Sequence, residues 1–219
     1  IIATGNTHKT EEISKLLGSI FKPIEDLQSY PEIGEIDEIG NTFEENAELK
    51  AIEVGKLLGN SAMILSDDSG LEVDALNGAP GVRSARFSGE NADDSSNRKK
   101  LLDELEGIGA QGERRVARFR CVMVLARGDQ KLAVFNGVVE GKIADKEKGD
   151  GGFGYDSLFI PQDYDKTFAE LPSHTKNSIS HRANALAAFI SRRALYCSLF
   201  SSIILISSFP IPSLIQPQV

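Results

Sequence analysis

The stretch RVARFRCVMVLARGDQKLAVFNGVVEGKI, residues 115–143, constrains the fold more than any other. Apolar and polar side chains alternate on both sides of a Gly-Asp turn, which predicts two antiparallel strands joined in a hairpin. Phe119, Cys121, Met123 and Leu125 share one face of the first strand, so that face needs a covering layer.

Helical patterns elsewhere can supply the layer. Thr42 with Glu45 three residues on forms a capping box, and Phe43, Ala47, Ala51, Val54 and Leu58 then line one helical side. SSNRKKLLDELEG predicts a helix with Leu101, Leu102 and Leu105 inward, and NSISHRANALAAFISRRAL a last one striped by Ile179, Ala183, Leu186, Ile190 and Ala194. Ile1-Ile2-Ala3 reads as a short strand. TGNTHKTEEISKLLG reads as a turn into a helix capped by Asn6 or Thr7, with Ile13, Leu16, Leu17 and Ile20 apolar and Gly18 near its stop. SAMIL predicts a strand ending in an acidic pair, ALNGAPGVRSARFSGE a loop, and DSLFIP a further short strand. Strands and helices mix without strict alternation, so the expectation is an α/β protein on a twisted mixed sheet, with one domain the better prior for 219 residues.

A net charge of −8 argues against broad binding to a nucleic-acid backbone, although a few local cations can hold a single nucleotide. Two cysteines, Cys121 and Cys197, make neither a disulfide framework nor a zinc site, and the start lacks a signal-peptide pattern; both point to the cytoplasm. From Ala194 to Val219 only uncharged residues occur, broken by serines and prolines; a tail packed on the body or a partner, or a non-native end, is expected over a membrane anchor.

Three segments and the acidic pair carry the functional signals. SDDSG, residues 66–70, sets two like charges side by side, which costs stability unless water, a cation or a proton relieves it. ATGNTHK combines a helix start with a lysine: either a phosphate seat or an ordinary capped turn with a solvated Lys9. It is no Walker loop, because His8 stands where that motif requires Gly. KGDGGFGYD contains G-x-G-x-x-G, but the DSLFIP strand behind it excludes the Rossmann reading, which needs a helix there. Its aromatics suit either stacking on a flat heterocycle or core packing in a glycine-rich loop. In KNSISHR, His181 and Arg182 are either a solvated face or a site. A glycosidase carboxylate pair lacks a sugar platform, since the chain has no tryptophan.

Four separated segments, TGNTHK, LSDDSGLEVDALNGAPGVRSARFSGE, GGFGYD and KNSISHR, occur in the order found in the non-canonical purine NTP pyrophosphatases. The chain resembles this inosine triphosphate pyrophosphatase family from Ile1 to about Leu195. The resemblance implies an elongated two-lobed α/β fold, a long twisted mixed sheet flanked by helices, a nucleotide cleft between the lobes, and a homodimer. It implies a domain over residues 1–195 with an uncharged tail, 196–219, that the family does not place. The implied reaction is Mg2+-dependent hydrolysis of ITP, dITP or XTP to the monophosphate and pyrophosphate, removing them from the nucleotide pool.

The same resemblance sets Thr4, Gly5, Asn6, Thr7, His8 and Lys9 around the triphosphate, with Lys50 as a second phosphate clamp. It makes Glu38 and Asp68 metal ligands and Asp68 the general base, with Ser69 beside them. Phe153, Gly154, Tyr155 and Asp156 would form the base pocket, joined by Lys176, His181 and Arg182. Ser157 and Thr175 depart from the family pattern, which often has Pro and an acidic residue there. Asp67 and Asp68 cannot point the same way on an extended segment, so one should face the metal and the other brace the turn, with Gly70 letting the backbone leave sharply. Donors from His181 and Arg182 would pair with the 6-oxygen of hypoxanthine or xanthine and meet the amino group of adenine donor to donor. The rival readings are a nucleotide sensor, a pyrophosphatase for other nucleotides, and a stepwise phosphatase.

Overall fold

The computed structural model describes residues 1–4, 6–17, 24–34 and 36–198, with side chains to residue 192. Its elements in chain order are β1 (Ile2–Ala3), α1 (Thr7–Leu17), α2 (Phe43–Leu58), β2 (Ile64–Val73), α3 (Asp94–Gly107), β3 (Val116–Arg127), β4 (Gln130–Ile143), β5 (Phe159–Pro161), α4 (Ser173–Ile179) and α5 (His181–Ser198). The strands form one mixed sheet in the order β1-β2-β3-β4-β5. β1 runs parallel to β2, and each later neighbour is antiparallel. The predicted hairpin is β3 and β4, paired from Val116↔Lys142 to Arg127↔Gln130, with one irregularity at Leu125/Ala126.

The helix starts follow local chemistry. Asn6 Oδ1 accepts from Lys9 N at 3.2 Å, so Asn6 caps α1. The Thr42–Glu45 capping box is formed at α2, and Asp93 with Ser96 forms one at α3 that the sequence reading had not singled out. Ile20, Gly18, Gly5 and residues 199–219 lie outside the described residues. The expected boundary at 195 falls inside α5, which continues to Ser198.

Apolar packing covers both sheet faces. Leu65, Met123 and Leu125 pack with Ile13 of α1 and Leu186 of α5 on one side, whereas Ile64, Val124 and Ala126 pack with Ala47, Ala51 and Val54 of α2 on the other. A third cluster, with Leu71, Val73 and Phe119, joins Leu101 and Leu105 of α3 to Phe159 and Phe168. The break between these clusters falls at Asp67, Asp68 and Ser69, where β2 carries polar side chains on both faces. There the functional cleft opens.

Three local expectations are corrected. β2 does not end at the acidic pair: Asp67 pairs with Met123 and Asp68 with Val122, mid-strand, because β3 supplies a partner along the whole segment. Gly70 is therefore not an exit; it pairs with Arg120. A Cβ at Gly70 would lie 2.4 Å from Ser84 Oγ and 2.5 Å from Gly81 O, so the missing side chain lets the 3-10 segment Gly81–Arg86 lie directly on β2. The expected last helix is also two: Ser180 is extended at ψ 158, separating α4 from α5.

Candidate active site

The strand pleat turns Asp67 and Asp68 to opposite faces of the sheet. Asp67 is fully buried, with Lys9 Nζ at 3.2 Å, Arg182 Nη2 at 3.5 Å, and Ser69 Oγ donating at 3.3 Å. Asp68 faces α2: its Oδ2 accepts from Asn46 Nδ2 at 3.0 Å, its Oδ1 accepts from Ser69 N at 2.9 Å, and Lys50 Nζ stands 4.0 Å away. Asp67 thus braces two cations, not the turn.

Asn46 and Lys50 are buried because they lie one helical turn apart, next to the apolar side of α2. Lys50 Nζ donates to Glu38 Oε1, and Asn46 Oδ1 accepts from Gly40 N at 2.7 Å, so α2 ties down the segment that carries Glu38. Arg86 completes that clamp by donating from Nη2 to the Glu38 carbonyl at 2.9 Å. Glu38 and Asp68, far apart in sequence, consequently share Lys50.

The other wall of the cleft is aromatic and cationic. Phe153 is half-buried, with its ring stacked on His8 at 5.1 Å between centroids and 12° between planes. Lys176 Nζ lies 4.7 Å from the Phe153 centroid and donates to Asp156 at 2.6 Å and Glu12 at 2.8 Å. Asp156 accepts from Phe153 N at 2.9 Å, so its carboxylate is spent on holding this loop and Lys176. Tyr155 is core as well as lining: it is buried, and its hydroxyl donates to Ser84 O at 2.9 Å. Asp94 accepts from Gly154 N at 2.7 Å and Arg98 donates to Gly154 O at 2.9 Å, fixing the peptide groups next to Phe153.

The break at Ser180 turns His181 and Arg182 inward, in place of the solvated or bordering positions that a continuous helix gives them. His181 stacks on Phe119 at 4.8 Å, and Arg182 donates to Glu12 and, at 3.0 Å, to Ser69 Oγ. His181 Nδ1 and Arg182 Nε are buried with no hydrogen-bond partner among the described residues. Thr4 is buried and its Oγ1 accepts from Asn6 N at 3.2 Å, while Thr7 and His8 are exposed on the first turn of α1. His8, expected at the triphosphate, instead stacks on Phe153 of the aromatic wall.

Glu12, Asn46 and Arg86 were not expected. Asn46 had a readable signal, as a polar residue beside Ala47 on the inward side of a helix; Glu12 and Arg86 owe their place to long-range packing.

Electrostatics separates the acids. Burial alone would raise the Asp67 carboxyl, but Lys9, Arg182 and Lys50 outweigh it and hold it well below the usual range. For Asp68 burial prevails over Lys50, Glu38 adds repulsion, and its pKa is pushed up to about 6. Glu38 stays low, Lys50 overcoming its burial. Burial, with Arg182 and Lys176 nearby, pushes His181 well below an ordinary histidine, so it is neutral. The cavity measures about 1050 Å³ and reaches from Lys9, Glu38, Lys50 and Asp68 to Phe153 and His181, enough for a nucleotide. Its chemistry is a raised carboxylate between lysines at one end and an aromatic plane with fixed donors at the other.

Known proteins share this arrangement of chain. A dITP/XTP pyrophosphatase from Listeria innocua is 48% identical over 186 residues, covering 85% of this chain and 90% of the relative. Among solved structures, the Staphylococcus aureus Ham1 protein superposes with a TM-score of 0.76 at 38% identity, covering 90% of this chain and 97% of that one. A nucleoside-triphosphatase / dITP/XTP pyrophosphatase from Mycobacterium abscessus gives 0.69 at 41% identity, over 86% and 97%. With the Ham1 family model matching residues 1–192 as well, the chain belongs to the Ham1 family.

Proposed function

We propose that the chain hydrolyses ITP, dITP and XTP to the monophosphate and pyrophosphate, clearing non-canonical purines from the nucleotide pool. The observation that carries this is the convergence of Lys9 and Lys50 on adjacent carboxylates of β2, across one cavity from a stacking ring flanked by fixed cations. The relatives are named for dITP and XTP, two of these three substrates.

In this reading the orphan N–H groups at the start of α1, with Thr4, Thr7 and Lys9, hold phosphate oxygens, and Lys50 holds others. Asp68, with a pKa of about 6, is ionised at neutral pH yet more basic than an ordinary carboxylate. It accepts a proton from the attacking water as that oxygen bonds to the α-phosphorus and the α–β bridging bond breaks, releasing pyrophosphate. Ser69 and Asp67 keep Arg182 in place beside this centre.

Mg2+ fits the donors present. Mg2+ is commonly held by one or two carboxylates with substrate phosphates and water, and Glu38 and Asp68, which share Lys50 and line the same cavity, are two such carboxylates. Glu38 and Asp68 would hold it, and when bound it supplies neutralisation of the phosphate oxygens.

At the base end, neutral His181 offers one ring N–H, and Arg182 only donors. A 6-oxygen can accept from both; the adenine amino group offers Arg182 no acceptor and can pair with His181 only through the tautomer that turns its lone pair toward the base, so adenine forms fewer hydrogen bonds in this pocket. The homodimer, the cytoplasmic location and the separate 196–219 tail are carried with this proposal from resemblance and composition. Among the described residues no helix is long and apolar enough to cross a membrane.

The test is Mg2+-dependent turnover of ITP beside ATP and GTP, with pyrophosphate and orthophosphate detected separately. Pyrophosphate from ITP in strong preference to the others is expected. Orthophosphate as the main product, or no turnover at all, refutes the proposal.

A further inference from the structure

The His8 ring lies parallel to Phe153 at 5.1 Å, within the range of an offset stack. A third ring between two parallel rings needs them roughly 7 Å apart, twice a van der Waals contact, so a base cannot enter between these two as they stand. Phe153 has three neighbours over its ring, His8, Lys176 and Arg182, and they differ in how firmly they are held; Arg182 is buried and tied to Glu12 and Ser69. Lys176 is buried and tied to both Glu12 and Asp156. His8 is exposed on the first turn of α1, and its side chain makes no hydrogen bond or ion pair among the described residues. The Phe153 stack is what holds it, and a second flat ring can replace such a contact.

The position of His8 also connects the two ends of the cleft. It immediately precedes Lys9, whose ammonium is paired with Asp67 until a phosphate offers an alternative. The residue that covers the aromatic wall and the residue that meets the phosphate therefore leave from the same helical turn.

We propose that His8 is a placeholder for the purine: in the free protein its imidazole occupies the stacking face of Phe153, and a bound base displaces it. This rests on the base pocket of the proposed function, and it replaces the expectation that His8 contacts the triphosphate. His8 then opposes binding of any base, whatever its edge, and has no part in reading that edge.

Calorimetric titration with IMP, which carries a base, and with inorganic tripolyphosphate, which carries none, tests this on wild type, His8→Ala and His8→Phe. His8→Ala should bind IMP about 2- to 10-fold more tightly, the worth of one ring stack, and tripolyphosphate within about twofold of wild type. His8→Phe, with a larger ring in the same place, should bind IMP more weakly than wild type. IMP affinity unchanged or reduced in His8→Ala overturns the inference, as does an equal change with tripolyphosphate, which would return His8 to the phosphate end. Turnover separates this from the function itself. Wild-type protein that releases no pyrophosphate from ITP refutes the proposed reaction, while IMP affinities still decide the role of His8; absence of IMP binding in every variant overturns the role of His8 and leaves the reaction to the turnover result.

Discussion

Replacing Gly137 with alanine should damage substrate discrimination through the helix start that carries His181 and Arg182. Gly137 lies on β4 beneath the first turn of α5, where a Cβ would stand 2.0 Å from His181 O, 2.4 Å from Ala185 N and 3.0 Å from Ala185 Cα. All three are backbone atoms, so no side-chain rotation relieves the clash. Restoring even a tight contact requires the start of α5 to retreat by about 1 Å, because packed interiors have no slack to absorb it. Arg182 rides on that turn. Its 3.0 Å bond to Ser69 Oγ would be lost and its 3.5 Å approach to Asp67 weakened. Overpacking of this kind costs about 1 to 3 kcal/mol, partly offset by the roughly 0.5 to 1 kcal/mol that alanine gains over glycine in a strand. A displacement of about 1 Å at a substrate-positioning group costs on the order of 100-fold in rate. Asp68, Lys50 and Glu38 sit on β2, α2 and the segment before α2, away from this contact. The expectation is therefore a modest fall in the urea midpoint, a kcat/KM for ITP lower by on the order of 100-fold, and a smaller loss for ATP, so that the ITP/ATP ratio collapses. Steady-state pyrophosphate release and urea unfolding measure these quantities. An ITP kcat/KM within twofold of wild type would show that contact with β4 does not set the position of His181 and Arg182.

Asp68→Asn preserves shape and removes the proton acceptor; turnover should fall below about one hundredth of wild type with an unchanged circular dichroism spectrum, and higher activity would take the general-base role from Asp68. Glu12→Gln removes the carboxylate that Lys176 and Arg182 share and should cost about 1 to 3 kcal/mol in urea unfolding, since the buried Lys176 and Arg182 keep only Asp156 and Asp67; a change under about 0.5 kcal/mol would mean the pairing is dispensable. His181 has a folded pKa well below its unfolded value, so the unfolded chain binds the extra proton first. Its stabilising contribution is complete above about pH 6.5 and is lost as pH falls, by up to about 1.4 kcal/mol per unit. Urea midpoints from pH 7.5 to 5.5 should consequently fall more steeply for wild type than for His181→Gln, and parallel slopes would mean that His181 takes up its proton equally in both states.

Most of the frame was legible because it depends on local periodicity. The β3–β4 hairpin, the capping box at Thr42 and the inward side of α2 all come from residues within a few positions of one another. The helix break at Ser180 was not, since Ile179 and Ala183 keep a helical spacing across it, and the extended conformation serves the burial of His181 and Arg182 deeper in the fold. The acidic pair misled in the same way. Adjacent carboxylates read as a strand end because buried like charges are costly, and nothing nearby in sequence announces Lys9, Lys50 and Arg182 arriving from three other elements to compensate them. The residues proposed for the site came from the family resemblance that four ordered motifs carry, Glu38 and Lys50 lying outside those motifs, while contacts such as Glu12 with Lys176 and Arg182 exist only in three dimensions.

Those contacts also bear on why a triphosphate should arrive with a cation. In the free protein each of the four cations proposed as phosphate or base ligands already has an anionic partner: Lys9 has Asp67, Lys50 has Glu38, Lys176 has Asp156, and Arg182 has Glu12. The cleft is thus internally compensated, and a bare triphosphate gains at each lysine only what it takes from a carboxylate. When Lys50 turns from Glu38 to a phosphate oxygen, Glu38 and Asp68 lose the charge that separates them, and their repulsion, already part of what raises Asp68, increases. A divalent cation held by Glu38 and Asp68 would remove both penalties together. In the proposed reaction, substrate and metal would then favour each other's binding through this one lysine, and Asp68 would keep the ionised form its role requires.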